Sequence, residues 1–383
     1  MVQANNAKDI MAAKNNVAEL GLIVAPGADE QAKLIDQHLT SWSNEAGNPV
    51  ESFIVPSECP RFSSGDGKGM IKKTIRGDDL YIITDMGNYN CKYKMFGHEN
   101  FMSPDDHFQD LKRLIQAASG KAHRINVIMP MLYGSRQHRR SYRESLDCAF
   151  ALQELQNMGV ANIVTFDAHD PRVQNAVPLM GFDNVMPTYQ VLKTLLREFP
   201  DLQPDRDNFM VISPDEGAMN RNMYYASVLG VNLGMFYKRR DYSRIVNGRN
   251  PIVAHEYLGE SVQGKDVFIA DDIISSGESM LDIGYELKRR GANRIFAYAT
   301  YGIFTNGVAS FDKAVEEGII TGVLGTNLTY RSPELLSRPW FHEVDVCKYI
   351  AYFILALNND MSVSDVIDPH TKIKQLLDKH RNG

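Results

Sequence analysis

Several common features are scarce in this sequence, and their scarcity narrows the class of protein. Four cysteines are spread through 383 residues, without the spacing of zinc ligands or of a disulfide framework. The longest apolar run, residues 349–357, is too short to cross a bilayer, and the polar start of the sequence shows no signal-peptide pattern. The net charge of −6 favours neither a nucleic-acid nor a membrane partner. We therefore expect a cytoplasmic protein with free thiols at Cys59, Cys91, Cys148 and Cys347.

The rest of the composition is ordinary for a globular protein, with 44% apolar and 23% charged residues. The length allows two domains, each with its own core. Short apolar strand patterns alternate with amphipathic helix patterns, which predicts an α/β fold. We place one domain at residues 17–172, a second at 173–338, and a helical segment at 339–383 that we expect to return to the first domain.

The strongest local pattern lies in residues 267–279, which read VFIADDIISSGES. A short strand pattern precedes Asp271 and Asp272, a hydroxyl-rich turn follows, and apolar residues then recur at helical spacing. One βαβ unit of this kind places its loop at the sheet edge where α/β proteins bind ligands. The turn suits a phosphate at a helix start, and the aspartates suit vicinal sugar hydroxyls or a metal ion. A helix cap with a solvated charge is the alternative.

Two basic clusters also follow predicted strands. Arg136 and Gln137 lie in the run Tyr-Gly-Ser-Arg-Gln-His-Arg-Arg at 133–140, where arginine can grip phosphate oxygens with two donors. Lys238 and Arg240 lie in Lys-Arg-Arg at 238–240, ahead of about two dozen polar or flexible residues that suggest a mobile lid. Both clusters favour a polyphosphate, and a solvated basic surface is the alternative for each.

Three further segments carry candidate site residues. His169 follows a predicted strand, where a histidine is either a structural hydrogen-bonding group or a functional one. Asp215 follows another strand in Ser-Pro-Asp-Glu-Gly-Ala, whose small residues let a ligand approach the backbone. Residues 61–67, Arg-Phe-Ser-Ser-Gly-Asp-Gly, read on their own as an ordinary turn.

Taken in order from about residue 20 to residue 367, these segments resemble the loops of the ribose-phosphate pyrophosphokinases, which share the type I phosphoribosyltransferase fold. The family pattern Asp-Asp-x-x-Asp-Thr-Gly-Gly-Thr corresponds here to Asp-Asp-Ile-Ile-Ser-Ser-Gly-Glu-Ser at 271–279. The family's Ser-Pro-Asp-x-Gly-Gly-x-x-Arg corresponds to residues 213–221, and its Lys-x-Arg to residues 238–240. In this sequence Ser275 replaces an aspartate and Glu278 replaces a small residue.

The resemblance implies two phosphoribosyltransferase-type α/β domains with twisted, mostly parallel sheets flanked by helices. It implies a Mg²⁺-dependent transfer of the diphosphate of ATP to ribose 5-phosphate, in nucleotide biosynthesis. By resemblance, the ATP-binding residues are Phe62, Ser64, Asp66, Arg136, Gln137 and His169. The ribose phosphate-binding residues are Asp215, Asp271, Asp272, Ser275, Ser276, Gly277, Glu278 and Ser279. The catalytic residues are Lys238, Arg240 and His169, and the metal-binding residues are His169 and Asp215.

Three alternatives stay open. The same diphosphate transfer to a larger ribose 5-phosphate ester, such as ADP-ribose, is suggested by Glu278 and by the long connection at 86–104. A type I phosphoribosyltransferase would share residues 271–279 without needing the two basic clusters. A catalytically silent regulatory subunit is the third. The resemblance also implies a homo-oligomer built from dimers, such as a hexamer.

Overall fold

The computed structural model describes residues 7–13, 15–240, 252–364 and 369–382, and gives the backbone alone at 238–240 and 252–255. The chain forms two compact units. Unit 1 comprises Met1–Pro187, Asn327–Tyr330 and Asp345–Asp368; unit 2 comprises Thr188–Thr326, Arg331–Val344 and Pro369–Gly383. The main division thus follows Pro187, fifteen residues beyond the position 172 inferred from sequence, and the domain boundaries themselves stay a prediction.

Unit 1 is built on a five-stranded parallel sheet in the order β1-β4-β7-β8-β9. Its strands are β1 (Leu20–Val24), β2 (Ser57–Glu58), β3 (Met70–Ile71), β4 (Asp79–Ile83), β5 (Lys92–Met95), β6 (His98–Phe101), β7 (Arg124–Ile128), β8 (Asn162–Phe166) and β9 (Gly181–Val185). β2 pairs with β3, and β5 with β6, in two antiparallel ribbons. Its first helices are α1 (Ala7–Ala13), α2 (Asp29–Glu45), α3 (Pro104–Ala118) and α4 (Asp147–Asn157), and a 3₁₀ helix spans Pro171–Ala176.

The residue types in these elements follow from which positions are buried. All five residues of β4 are buried, as expected for a parallel strand that is covered on both faces. The sequence predicts a helix at 105–119 with Phe108, Leu111 and Leu114 on one face, and in α3 these three residues are buried at helical spacing. Ser103 begins that helix: its hydroxyl accepts from the Asp106 N–H, and the Asp106 carboxylate accepts from the Ser103 N–H.

Unit 2 is built on a seven-stranded sheet in the order β12-β11-β10-β13-β14-β15-β16, antiparallel only between β11 and β12. Its strands are β10 (Phe209–Ser213), β11 (Asn232–Arg240), β12 (Ile252–Leu258), β13 (Asp266–Ile274), β14 (Ile295–Gly302), β15 (Gly322–Thr326) and β16 (Phe341–Val344). Its helices are α5 (Thr188–Glu198), α6 (Met219–Leu229), α7 (Glu278–Arg289), α8 (Ala309–Glu316), α9 (Pro333–Leu336) and the C-terminal helix His370–Asn382. Helix α10 (Cys347–Asn358) belongs to unit 1. The predicted α/β class with mostly parallel sheets is confirmed.

One segment differs from what its sequence predicts. Residues 50–55 have a strand pattern, but they make only one bridge, between Leu22 and Ile54. The side chain of Asp36 takes the hydrogen bonds here, because it accepts from the Ser52 hydroxyl at 2.8 Å and from the Phe53 N–H at 2.8 Å. The long connection at 86–104 forms the β5–β6 hairpin. Within the described residues, no helix is long and apolar enough to span a membrane.

The Asp79 carboxylate joins three elements of unit 1. It is fully buried at the start of β4 and accepts two hydrogen bonds from the Arg124 guanidinium, at 2.8 and 2.7 Å. Asn126 on β7 and Asn358 at the end of α10 donate to it at 2.8 and 3.0 Å. Burial opposes the charge, but the hydrogen bonds from Arg124 and Asn358 outweigh it and lower the pKa of Asp79. The sheet of unit 1 and helix α10 are therefore joined at the buried Asp79 carboxylate, whose charge is stabilised by hydrogen bonds.

We predict that Asp79→Ala lowers the free energy of unfolding by about 3–5 kcal/mol, because it leaves the Arg124 guanidinium without its buried partner. Asp360→Asn is the matched control: Asp360 is the exposed partner of the same arginine, at 3.0 Å, and should change stability by less than about 1 kcal/mol. Because folding lowers the pKa of Asp79, its contribution is complete above the unfolded pKa of about 4 and is lost as the pH falls through the folded value. Urea unfolding at several pH values measures both effects, and equal losses for the two variants would contradict the assignment.

Candidate active site

In unit 1, two predicted site segments meet at one sheet edge. β7 and β8 are parallel neighbours, so the loop at 133–140 and the segment at 167–170 leave the sheet at the same end. His138 lies with Nδ1 3.0 Å from Oδ2 of Asp170. The His138 and His169 rings lie with their centroids 5.3 Å apart. The structure thus brings the Arg136–Gln137 loop beside His169.

The charges at this edge are already partly balanced. The guanidinium of Arg172 binds both oxygens of Asp170, and this pairing holds the pKa of Asp170 well below its usual range. Burial lowers the pKa of His138 although Asp170 opposes the shift, so the imidazole is neutral at pH 7. Arg136, Gln137 and His169 are exposed. The groups that face solvent are therefore the ones predicted to meet a polyphosphate.

Local backbone geometry directs His169 to the edge of the sheet. Asp167 has a φ of +42°, a conformation that L residues seldom adopt. It is held by a hydrogen bond from its N–H to the Val185 carbonyl at 2.9 Å, and the Ala168 N–H donates to Asn184 Oδ1 at 2.9 Å. β9 thus supports the turn that ends at His169.

The third predicted segment of unit 1, residues 61–67, forms a closed loop. The Phe62 N–H donates to the Asp66 carbonyl at 2.7 Å, and the Ser64 hydroxyl donates to the Asp66 carboxylate at 2.7 Å. Arg61 anchors the loop on α3 through two hydrogen bonds to Asp110, each of 2.8 Å. The Phe62 side chain is left 58% exposed. An exposed ring on a fixed loop is suited to stacking on a planar ligand.

In unit 2, the predicted carboxylates lie on neighbouring parallel strands. Asp215 follows β10, and Asp271 and Asp272 lie on β13 beside it. The sequence prediction ended this strand at residue 270, which is wrong, since β13 continues to Ile274. Pairing with β14 extends it: Asp271 lies opposite Ala299, and Ile274 opposite Gly302. The two aspartates therefore lie within the strand, where the Asp272 N–H donates to Asp271 Oδ1 at 2.9 Å.

Negative charge accumulates at this edge. Burial raises the pKa of Asp271 well above its ordinary value, and the neighbouring Asp272 and Asp215 carboxylates raise it further. Arg221 on α6 opposes the shift, with Nη1 3.6 Å from Asp271 Oδ1. The Asp271 side chain is 27% exposed, so a ligand can reach it. The arrangement suits a positively charged or hydroxyl-bearing ligand.

The predicted phosphate loop lies between β13 and α7. Gly277 has a φ of +83°, and a Cβ there would lie 2.3 Å from the Phe311 ring, so only glycine fits. The sequence prediction included Glu278 and Ser279 in the loop, but α7 begins at Glu278, and both are exposed residues of its first turn. Ser275 and Ser276 remain in the loop and are half-buried. Glu278 thus occupies the helix end where an acid is favourable.

The Lys-x-Arg pair lies on the neighbouring strand β11. The backbones of Lys238 and Arg240 pair with His255 and Ile252 of β12, and the ladder is irregular between Arg239 and Arg240. Their side chains and residues 241–251 of the predicted lid lie outside the described residues. The prediction of about two dozen loop residues here is wrong in its second part, since Ile252–Leu258 form β12. The roles inferred for Lys238 and Arg240 therefore stay predictions.

Sequence reasoning did not assign roles to two residues of α6. Arg221 was the last residue of the quoted Ser-Pro-Asp pattern, so its position carried a signal, but no role was inferred. Asn222 carried none, yet it is fully buried and its amide binds β13 in both directions. Its Nδ2 donates to the Ala270 carbonyl at 2.8 Å, and its Oδ1 accepts from the Ala270 N–H at 3.2 Å. Asn222 fixes the backbone immediately before Asp271.

Three protein-family models match the chain. They are the N-terminal domain of ribose phosphate pyrophosphokinase over residues 22–159, the phosphoribosyl transferase domain over 187–307, and the phosphoribosyl synthetase-associated domain over 249–367. The chain belongs to the ribose-phosphate pyrophosphokinase family. It is thus an enzyme of the class that the sequence resemblance indicated.

Curated relatives and a solved structure agree with this assignment. A ribose-phosphate pyrophosphokinase of Vibrio parahaemolyticus is 28% identical over 312 residues, covering 79% of this chain and 88% of that protein. One from Shewanella oneidensis is 29% identical over 311 residues with the same coverage. The crystal structure of phosphoribosylpyrophosphate synthetase from Mycobacterium smegmatis matches with a TM-score of 0.71 at 19% identity, covering 89% of this chain and 99% of that one. At that identity the structural match supports the fold alone.

The family implies a magnesium ion, and the residues of unit 2 fit one. Magnesium prefers carboxylate and water oxygens and usually takes only one or two ligands from the protein. Asp215 supplies such oxygens. Burial, and then the nearby Asp272 and Asp215 charges, raise the pKa of Asp271, and a cation close to that carboxyl would oppose the shift. The described residues contain no group of three or more His, Cys, Asp or Glu side chains arranged to hold a metal. A magnesium ion here would therefore share its ligands with substrate oxygens and water.

We predict that Asp271→Asn raises the free energy of unfolding at pH 7.5 by about 1 kcal/mol, the usual size of a gain from relieving strain at a functional site. The gain should shrink toward pH 5, because the raised pKa of Asp271 lets the wild-type carboxyl protonate as the pH falls. Asp201→Asn is the control: its pKa is lowered by the hydrogen bond from Arg294, so its replacement should give no gain. Urea unfolding curves at both pH values decide the matter, and a loss for Asp271→Asn at pH 7.5 would disprove the proposed repulsion.

Proposed function

We propose that this enzyme transfers the β,γ-diphosphate of ATP to the anomeric hydroxyl of ribose 5-phosphate, in the presence of Mg²⁺, to give phosphoribosyl diphosphate and AMP. The observation that carries the proposal is that three carboxylates, those of Asp215, Asp271 and Asp272, lie at one edge of the unit 2 sheet in a chain that belongs to this family. The exposed groups of unit 1, Arg136 and His169, supply the complementary chemistry for a polyphosphate. Such a transfer needs positioning and charge neutralisation more than a covalent nucleophile.

On the ATP side, Arg136 would bind phosphate oxygens with its forked donors, and Gln137 would add a neutral donor. His169 would contact the same polyphosphate and its metal. Phe62 would stack on adenine, with Ser64 and Asp66 at the edge of the base. Lys238 and Arg240 would stabilise the charge that spreads over the transferring phosphoryl group. These roles are proposals that follow from the family and from the exposure of the unit 1 residues.

On the acceptor side, Asp271 and Asp272 would bind the ribose hydroxyls, which can donate hydrogen bonds to carboxylates. The N–H groups at Ser275, Ser276 and Gly277 precede α7, where the helix dipole favours a phosphate. Asp215 and His169, each within its own unit, would offer ligand atoms to magnesium, which when bound would supply neutralisation of phosphate charge. The chain's own groups would then fix the anomeric oxygen in line with the bond that breaks.

A second acceptor class follows from one residue. Glu278 adds a carboxylate to the first turn of α7, next to the proposed phosphate loop. A phosphate monoester is a dianion and is repelled more strongly than a diester, which carries one charge fewer. ADP-ribose presents its ribose 5-phosphate as such an ester. The exposure of Glu278 weakens the repulsion, so we retain free ribose 5-phosphate as the main proposal.

The proposal extends to assembly and location. The family resemblance favours a homo-oligomer built from dimers, such as a hexamer. Among the described residues the four cysteines are free thiols, which supports a reducing cytoplasm. The second family model, over residues 187–307, would also fit a phosphoribosyltransferase, but the match over residues 22–159 favours the diphosphokinase.

We predict that the purified protein releases AMP from ATP when Mg²⁺ and ribose 5-phosphate are present, and that kcat/KM is higher with ribose 5-phosphate than with ADP-ribose. Both acceptors should be offered separately at matched concentrations, with AMP, ADP and phosphate separated by chromatography. Release of ADP instead of AMP would exclude diphosphate transfer. A reversed acceptor preference would establish the ester as the substrate. If no AMP is released with either acceptor, both assignments are refuted.

We predict that Lys238→Ala and Arg240→Ala each lower kcat about a hundredfold, with smaller effects on KM, because each removes a charge that acts mainly in the transition state. A lost contact of that kind typically costs ~3 kcal/mol. Arg239→Ala is the matched control, since it removes a neighbouring charge to which no role is assigned. Steady-state kinetics with ATP varied at saturating acceptor provide the measurement. If only KM changes, the two residues contribute ground-state binding instead.

A further inference from the structure

The tip of the β5–β6 hairpin has an unexpected residue. Its two-residue turn is Phe96-Gly97, with φ values of +48° and +79°. Turns of this type require positive φ at both positions and favour Asn-Gly or Asp-Gly. A phenylalanine is unfavourable there, because its bulky side chain resists the left-handed conformation. The Phe96 side chain is 75% exposed, so burial within the described chain does not offset that cost.

The hairpin is also braced against the loop at 61–67. The Phe96 N–H donates to the Ser63 carbonyl at 2.8 Å. Gly65 lies so close to Met95 that an added Cβ would be 2.6 Å from the sulfur. A third contact between the loop and the hairpin is made by Arg61, whose guanidinium lies 5.1 Å from the centre of the Tyr93 ring. The hairpin and the loop therefore hold each other in place.

This bracing places two exposed rings on adjacent segments. Phe62 is 58% exposed on the loop and Phe96 is 75% exposed on the hairpin. Ser64 and Asp66 lie on the same loop as Phe62, and the Ser64 hydroxyl donates a hydrogen bond to the Asp66 carboxylate at 2.7 Å. Aromatic faces next to a hydroxyl and a carboxylate fit a flat heterocycle that has a polar edge. A turn residue of unfavourable conformation whose side chain is 75% exposed is explained if its ring binds such a ligand.

We propose that Phe96 is a second base-contacting residue, which stacks on the adenine of ATP beside Phe62. This inference rests on the proposed function, which assigns Phe62, Ser64 and Asp66 to adenine. The hairpin at 86–104 thereby gains a role: it stiffens the base-binding loop and adds a ring to it. Base stacking on one aromatic side chain accounts for a substantial part of nucleotide affinity.

The test uses Phe96→Asn, because asparagine favours the left-handed conformation of the turn. The melting temperature should stay equal or rise, while Kd and KM for ATP rise about tenfold and kcat changes little. Phe96→Trp, made separately, should retain ATP binding close to that of the wild type, since it keeps an aromatic face at this position. Phe101→Ala is the control: Phe101 is 61% exposed on the same hairpin, with its ring near the Lys92 ammonium, and its loss should leave Kd unchanged. Calorimetry gives Kd for ATP in the absence of turnover.

The outcomes separate this inference from the proposed function. If Phe62→Ala weakens ATP binding and Phe96→Asn does not, the inference is wrong and the proposed function stands. If AMP release fails with every acceptor while Phe96→Asn still weakens ATP binding, the base contact stands and the proposed reaction falls. If Phe96→Asn leaves Kd unchanged but lowers the sedimentation mass, the ring contacts a second copy of the chain and the adenine assignment is overturned.

Discussion

The buried carboxyl of Asp271 is the constraint at the β10 and β13 edge of unit 2, because burial and then the neighbouring Asp272 and Asp215 charges raise its pKa. Parallel pairing of these strands fixes Asp215 near Asp271, and the sequence itself places Asp272 next to them. Arg221 relieves only part of the charge, at 3.6 Å from Asp271, while the Asn222 amide fixes the Ala270 backbone in both directions. A flexible strand end would let the carboxylates move apart into water. A fixed one keeps them together, and so retains a site that a cation or sugar hydroxyls can stabilise.

The sheet edge of unit 1 has the opposite electrostatic character. One buried acid there, Asp170, is already paired with Arg172 and its pKa is low, so it adds little unbalanced negative charge. The side chains that it exposes, Arg136, Gln137 and His169, are donors or potential donors. One parallel sheet therefore offers donors to an anion, and the other offers acceptors to a cation or to hydroxyls. The same fold principle, loops gathered at the carboxyl ends of strands, yields both.

Much of this was predictable because buried parallel strands have a strong sequence signature. The sequence predicts strands at 162–166 and 209–213, the observed bounds of β8 and β10, since each is a five-residue run of mostly apolar residues followed by polar or turn residues. The prediction fails where side chains compete with the backbone. Asp36 captures the Phe53 N–H and prevents a strand at 50–55, and pairing with β14 carries β13 past two aspartates that a propensity argument would exclude. Asn222 is equally invisible in sequence, because a polar residue in a helix usually faces water.

The position of the β5–β6 hairpin explains how such a chain can add specificity without disturbing its sheets. The hairpin lies between β4 and α3 in the chain. Its two strands pair with each other and not with the parallel sheet of unit 1. Its attachment depends on few contacts: a hydrogen bond to Ser63, the Met95 sulfur against Gly65, and Tyr93 beside Arg61. Arg61 in turn is held by Asp110, which is fully buried in α3. The exposed turn is thereby connected to the core of unit 1 through Tyr93, Arg61 and Asp110. Such a connection holds the Phe96 ring in place, as binding a base in one orientation requires.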